Sequence, residues 1–157
     1  MQRINWFTNP NFTGPLTGIS KWGDVTANVN KTNHQLVVSG SNGGYAFNVD
    51  VPANTPLVVS MFVYTDITKQ STPVAIMDVD DAGKVTVLAG VKPKSNASTM
   101  VTRVTSKTGK IRLEAYPVSG TTVNFGDFLV ERADTYDKAV GGGFRASSRG
   151  TRCHAIK

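Results

Sequence analysis

Gly44-Tyr-Ala-Phe-Asn-Val-Asp-Val51, Pro52-Ala-Asn-Thr-Pro56 and Leu57-Val-Val-Ser-Met-Phe-Val-Tyr64 decide the fold between them. In the first run Tyr45, Phe47, Val49 and Val51 alternate with Asn48 and Asp50, the period of two that places apolar side chains on one face of a strand. The middle run presets a turn through its two prolines and Asn54. The third is apolar at successive positions. That predicts a central strand covered by a second layer on one face and by a loop or a neighbouring subunit on the other.

Working outward, valine and threonine dominate, and helical spacing of Ala, Leu, Glu and Lys is missing. Further strands are predicted at Asp24–Val29, Gln35–Ser39, Val74–Val79, Lys84–Ala89, Thr99–Thr105, Lys110–Tyr116 and Thr121–Glu131. Turn chemistry separates them: Ser39-Gly-Ser-Asn-Gly-Gly44, Asp80-Asp-Ala-Gly83, Ser106-Lys-Thr-Gly109 and Val118-Ser-Gly120. Ile111, Leu113 and Ala115 oppose Lys110, Arg112 and Glu114, so that strand is also half-buried. In the last strand Val123 and Phe125 are odd but Phe128 and Val130 are even, a slip that predicts a β-bulge at Gly126-Asp127. Many short strands at close spacing predict an all-β fold, a single antiparallel β-sandwich of the jelly-roll kind, with at most one or two helical turns.

The 157 residues, 39% apolar and 18% charged, suit one core. We expect a β-sandwich domain over 1–137 and a Gly-rich, basic tail over 138–157. The tail holds Lys138, Arg145, Arg149, Arg152 and Lys157 and no acid, leaving twelve basic against eleven acidic residues in 1–137. A nearly neutral body argues against a nucleic-acid surface. No apolar run reaches membrane-spanning length, and the N-terminus lacks a signal-peptide pattern, so the mature chain is expected to begin at Met1. One cysteine and two separated histidines, His34 and His154, exclude disulfide and zinc scaffolds.

Neither histidine has a triad context for nucleophilic catalysis. Asp78, Asp80 and Asp81 could hold a cation, but Asp-Asp-Ala-Gly between two β segments reads as a hairpin turn. Gly141-Gly-Gly143 lacks the strand-to-helix setting of a phosphate loop. The sharper chemistry is sugar binding, in which exposed rings stack on pyranoses. Trp22, Tyr64 and Tyr116 are the candidate stacking residues, against the alternative that each packs in the core or at a subunit contact. Trp6 is expected to anchor the N-terminal segment, while Phe62, Tyr64 or Trp6-Phe7 could supply an oligomer interface.

Asn5-Trp-Phe-Thr-Asn-Pro-Asn-Phe12 followed by Trp22, Val49-Asp-Val-Pro52 before the central strand, Phe125-Gly-Asp-Phe-Leu-Val-Glu131 and Ala133-Asp-Thr-Tyr-Asp137 together resemble galactose-binding-like, carbohydrate-binding-module-type jelly rolls. Such modules recur in minor tail and other virion proteins of phages infecting actinobacteria. Related modules often bind a structural calcium through an acid after the N-terminal motif and an Asp on the last strand. Here Thr13 replaces that acid and Asp127 remains, which makes Asp127 the one candidate position for calcium; no other cofactor is implied. The resemblance ends at Gly143. If Gly150 to His154 are read one nucleotide earlier, permitted codons spell Asp-Thr-Met-Pro, part of the family's C-terminal motif, so the tail from Phe144 reads as that motif in another frame.

The resemblance implies a non-enzymatic structural component of a tailed-phage virion, a decoration or minor tail protein located in the particle. Its expected partners are other virion proteins, further copies of itself and host cell-wall glycans, without nucleic acid or membrane. The alternative reading is a freestanding or accessory carbohydrate-binding module.

Overall fold

The computed structural model describes residues 3–141, 144–146 and 153–155. Its strands are β1 (Ile19–Asn30), β2 (Gln35–Asp50), β3 (Pro56–Tyr64), β4 (Val74–Val79), β5 (Val85–Val91), β6 (Ala97–Thr105), β7 (Lys110–Ala115) and β8 (Thr122–Arg132). One helix, α1 (Ala133–Gly141), follows, and then β9 (Phe144–Ala146) and β10 (Cys153–Ala155), which pair with each other. Most of the tail in which the shifted-frame motif was read lies outside the described residues. The expected domain boundary at 137 falls within α1, whose Ala139 is buried.

Every strand pairing is antiparallel, and the hydrogen-bonded path runs β5-β4-β7-β2-β8-β3-β6, with β1 on β2. The long β2 makes this path two layers. Its first half, Gln35–Ser39, pairs with β8, and its second half, Tyr45–Asp50, pairs with β7. One layer is therefore β1-β2-β8-β3-β6 and the other β1-β2-β7-β4-β5, an antiparallel β-sandwich as expected.

Ser39 to Gly44 departs from expectation. Its glycines predicted a turn between two strands, yet β2 runs straight through and β1 pairs along nearly all of it. The glycines bend the ribbon from one layer into the other. Gly40 has φ +125°, and a Cβ there would overlap the Asp24 backbone, so only glycine lets the two strands fold together at the corner. A shift in the β1 register between Trp22 and Asp24 marks the same corner.

The core fills the space between the layers. Phe47 meets Phe125 and Phe128 at centroid separations of 6.0 and 6.4 Å, and Phe7 and Phe12 complete the aromatic cluster. Phe7 is buried there, which removes it as the interface residue suggested by sequence. The predicted bulge is present: Ser60 pairs with Leu129 but Phe62 with Gly126, and Asp127 takes a left-handed φ of +52°. At Gly126 the pairing of β8 with β2 ends, and the N-terminal segment takes its place. Asn5 Oδ1 accepts from the Val130 N–H, Asn5 Nδ2 donates to the Phe128 carbonyl, and the Trp6 N–H donates to the Val130 carbonyl, each at 2.9 Å. Trp6 packs against the core, as an anchor should. The outer face of β3 is covered at one end by α1, a third kind of cover beside the loop or subunit expected, and Val58 is buried.

Candidate functional site

The layer β1-β2-β7-β4-β5 turns one face to the core and the other outward. Cross-strand register identifies the outward residues: Trp22 lies opposite Gly44, Ala46 opposite Glu114 and Asn48 opposite Arg112, while Ala75 and Met77 of β4 lie beside Glu114 and Arg112. Residues between them, Tyr45, Phe47, Leu113 and Ala115, point into the core. The outward face therefore joins an apolar floor, Ala46, Ala75 and Met77, to a polar row, Asn48, Arg112 and Glu114.

Trp22 is the exposed part of this face, with 51% of its surface open. Its indole is nevertheless fixed. Nε1 donates to Glu114 Oε1, and the ring meets Tyr116 edge to face at 6.2 Å. Glu114 is only 2% exposed although it points away from the core, so its carboxylate is shielded at the base of the face. Gly44 makes that geometry possible, because a Cβ there would overlap the Glu114 carboxylate and crowd the Trp22 nitrogen. Arg112 Nε donates to Asn48 Oδ1 at 3.0 Å, which ties the guanidinium to the neighbouring strand.

Tyr116 directly follows β7, and its N–H donates to the Pro73 carbonyl. Its hydroxyl donates to Met77 Sδ at 3.6 Å. Burial and the neighbouring Glu114 charge push the phenol well above its ordinary pKa, so it remains a neutral donor in moderately alkaline solution. Behind it, Gln70 Nε2 donates to the Tyr116 carbonyl, while the buried Gln70 Oε1 has no partner among the described residues.

Of the three aromatics singled out from sequence, the structure brings Trp22 and Tyr116 together and separates Tyr64. Tyr64 lies at the end of β3 in the other layer, 45% exposed. Glu114, Gly44, Asn48 and Arg112 were not singled out as site residues, because only the register of β1, β2 and β7 puts Glu114 and Gly44 at Trp22 and Asn48 and Arg112 further along the same face.

The acidic cluster resolves into structural roles. Asp80 Oδ1 accepts from the Ala82 and Lys84 N–H groups, closing the hairpin turn expected from its sequence. Asp78 is buried. Burial pushes its carboxyl up, but hydrogen bonds from Ser106 Oγ at 2.6 Å, the Lys107 N–H at 3.0 Å and Thr108 Oγ1 at 2.9 Å outweigh that and hold it below the usual carboxylate range. Among the described residues no three His, Cys, Asp or Glu side chains gather where a metal could sit. Asp127 occupies the bulge, and Thr13, where the family's acid is expected, gives its N–H to Asn9 Oδ1. These groups do not supply the carboxylate-rich oxygen shell that calcium takes, and no role for calcium follows.

No family model and no curated protein matches the sequence. Solved structures do match, among them carbohydrate-binding modules of jelly-roll type. The CBM22-1 xylan-binding domain of Paenibacillus barcinonensis Xyn10C superposes with a TM-score of 0.60 at 12% identity, over 83% of this chain and 96% of that one. TmCBM61 in complex with β-1,4-galactotriose gives 0.56 at 16% identity, over 82% and 99%. A variant of CBM29-2 complexed with mannohexaose gives 0.53 at 12% identity, over 83% and 89%. At these identities the likeness is one of fold: the chain shares the jelly-roll β-sandwich of these modules.

Proposed function

We propose that this protein is a non-catalytic glycan-binding module whose site is the outward face carrying Trp22 and Tyr116. The observation that carries this reading is the half-exposed indole of Trp22, pinned by a shielded carboxylate and set edge-on to Tyr116, with the Asn48–Arg112 pair further along the same face. A free surface tryptophan would rotate; this one is held before any ligand arrives, which lowers the ordering cost of binding. A sugar presents an apolar C–H face to such a ring and hydroxyls to the amide, guanidinium and phenol of the same face. The fold shared with modules that bind xylan, galactotriose and mannohexaose supports the same reading.

The test is a glycan array of neutral polysaccharides and their oligomers with the wild-type chain, Trp22→Ala and Tyr116→Ala. A ring at the centre of such a site contributes about 2 kcal/mol or more, so Trp22→Ala should weaken binding more than tenfold. Binding unchanged in both variants removes this face as the site.

A place in a phage virion is a finer proposal and rests on the N-terminal and last-strand motifs alone. In that setting, copies of the module repeated on a particle would turn individually weak contacts into firm adhesion to a host wall. Detection of the chain in purified particles, or capsid and tail genes beside its own, would support it; a glycosidase domain encoded in the same reading frame would favour the accessory-module alternative.

A further inference from the structure

Tyr64 does not stand on a bare surface. It forms one wall of a cleft of about 720 Å³ where the β2 bend, the β3 end and the 118–121 turn meet, with Ser41, Asp66, Asn96, Ser119 and Thr122 around it. Its size falls within the roughly 300–1,000 Å³ of small-molecule sites.

The walls are braced by bonds that leave much of their polar chemistry unused. Thr65 donates through its N–H to the Asn96 carbonyl at 2.9 Å and through Oγ1 to the Thr122 carbonyl at 2.9 Å. Thr121 closes the 118–121 turn, donating from Oγ1 to the Val118 carbonyl at 2.7 Å. Asn96 Oδ1 accepts from the Ile67 N–H at 3.2 Å, which orients the amide. The Asn96 amide NH₂ and the hydroxyls of Tyr64, Ser41, Ser119 and Thr122 make no bond among the described residues. Asp66 is held in its charged form by Thr68, which donates from both its hydroxyl and its N–H.

We propose that this cleft is a second glycan site, which takes one or two units of a neutral sugar chain with Tyr64 as its single stacking ring. The chemistry selects this class. Among the described residues no basic side chain lines the cleft, and Lys69, outside that lining, is paired with Asp66 at 4.0 Å, so the walls offer no free cation to hold a phosphorylated or acidic sugar. Tyr64 is the one aromatic lining the cleft among the described residues, so a ligand that is apolar throughout gains little, whereas a sugar matches one ring and a row of hydroxyls. A single ring also limits the ligand to a chain end or a short stretch. The site goes beyond the reading of the Trp22 face and does not depend on it, because Tyr64 and Trp22 belong to different layers. A chain with both sites can hold two glycan strands at once.

The experiment is amide-resolved NMR titration with xylotriose, β-1,4-galactotriose and mannotriose at millimolar concentration, using the wild-type, Trp22→Ala, Tyr64→Ala and Tyr64→Phe chains. At least one triose should shift the Tyr64, Asn96 and Ser119 amides in the Trp22→Ala chain. Tyr64→Ala should weaken those shifts at least tenfold, and Tyr64→Phe should retain most of them. Absence of shifts around Tyr64 with all three sugars overturns the proposal, as do shifts that persist in Tyr64→Ala. Shifts around Tyr64 with none around Trp22 in the wild-type chain would instead overturn the Trp22 face and leave this site standing.

Discussion

Glu114 and Glu131 make an instructive pair. Both lie on outward strand positions, both are almost wholly buried, and both would be costly there without partners. Glu131, on β8, receives a bidentate guanidinium from Arg3, with Arg3 Nε at 2.8 Å from Oε2, on the layer that also carries α1. Glu114, on β7, receives the neutral indole N–H of Trp22 and stays under an open ring. The first arrangement pairs charge with charge and staples the N-terminus to the sandwich. The second has a neutral N–H in that place, from the largest exposed aromatic among the described residues. A buried outward carboxylate therefore marks a staple where its partner is an arginine, and a mounted aromatic ring where its partner is a half-exposed indole.

The comparison breaks most visibly at Arg3. Arg3→Ala leaves Glu131 buried without its cation and should cost about 3–5 kcal/mol, read from the midpoint of urea unfolding. Trp22→Phe takes one neutral donor from a buried carboxylate and should cost about 2 kcal/mol, while glycan affinity falls because the ring is no longer held. Equal stability losses would mean that Trp22 is a staple too.

A third buried carboxylate, Asp78, sharpens the contrast, since its partners are neutral hydroxyls and a backbone N–H from the β6–β7 turn. Asp78→Ala strands those donors and should cost about 2 kcal/mol. Because its folded pKa lies below the unfolded value of about 3.9, its contribution is present above that pH and is lost as pH falls through the folded pKa. Thermal melts below about pH 4 should show that slope in the wild-type chain and a weaker one in Asp78→Asn.

The smallest effect lies at the alkaline end. Tyr116 has its phenol pKa raised by burial and by Glu114, so the folded state keeps a proton that the unfolded chain gives up near pH 10. Its contribution is complete below about pH 10 and declines above it. Tyr116→Phe should flatten this alkaline slope, leaving the part due to Tyr45, whose phenol is also raised by burial.

Periodicity made the faces of the Tyr45–Val51 and Lys110–Ala115 strands legible, together with the bulge at Gly126-Asp127, because each depends on neighbours close in the chain. The Ser39–Gly44 corner was not legible. Its glycines carry the same signal for a turn as for a bend, and only pairing with a strand some twenty residues away distinguishes them. The site divides likewise. Trp22, Tyr64 and Tyr116 could be picked out as aromatics, but which of them meet depends on register. Glu114 looked like one more solvated charge on an alternating strand. Its burial follows from Trp22 lying across it and from Gly44 leaving room, and neither is written near residue 114.

The central claim, that Trp22 is a mounted sugar platform, is tested most directly by its own fluorescence. In a Trp6→Phe chain Trp22 is the sole tryptophan, and titration with a glycan found to bind on the array should change its emission saturably, with the same midpoint as binding measured by calorimetry. Emission that stays constant while calorimetry records binding would place the sugar elsewhere and contradict the account.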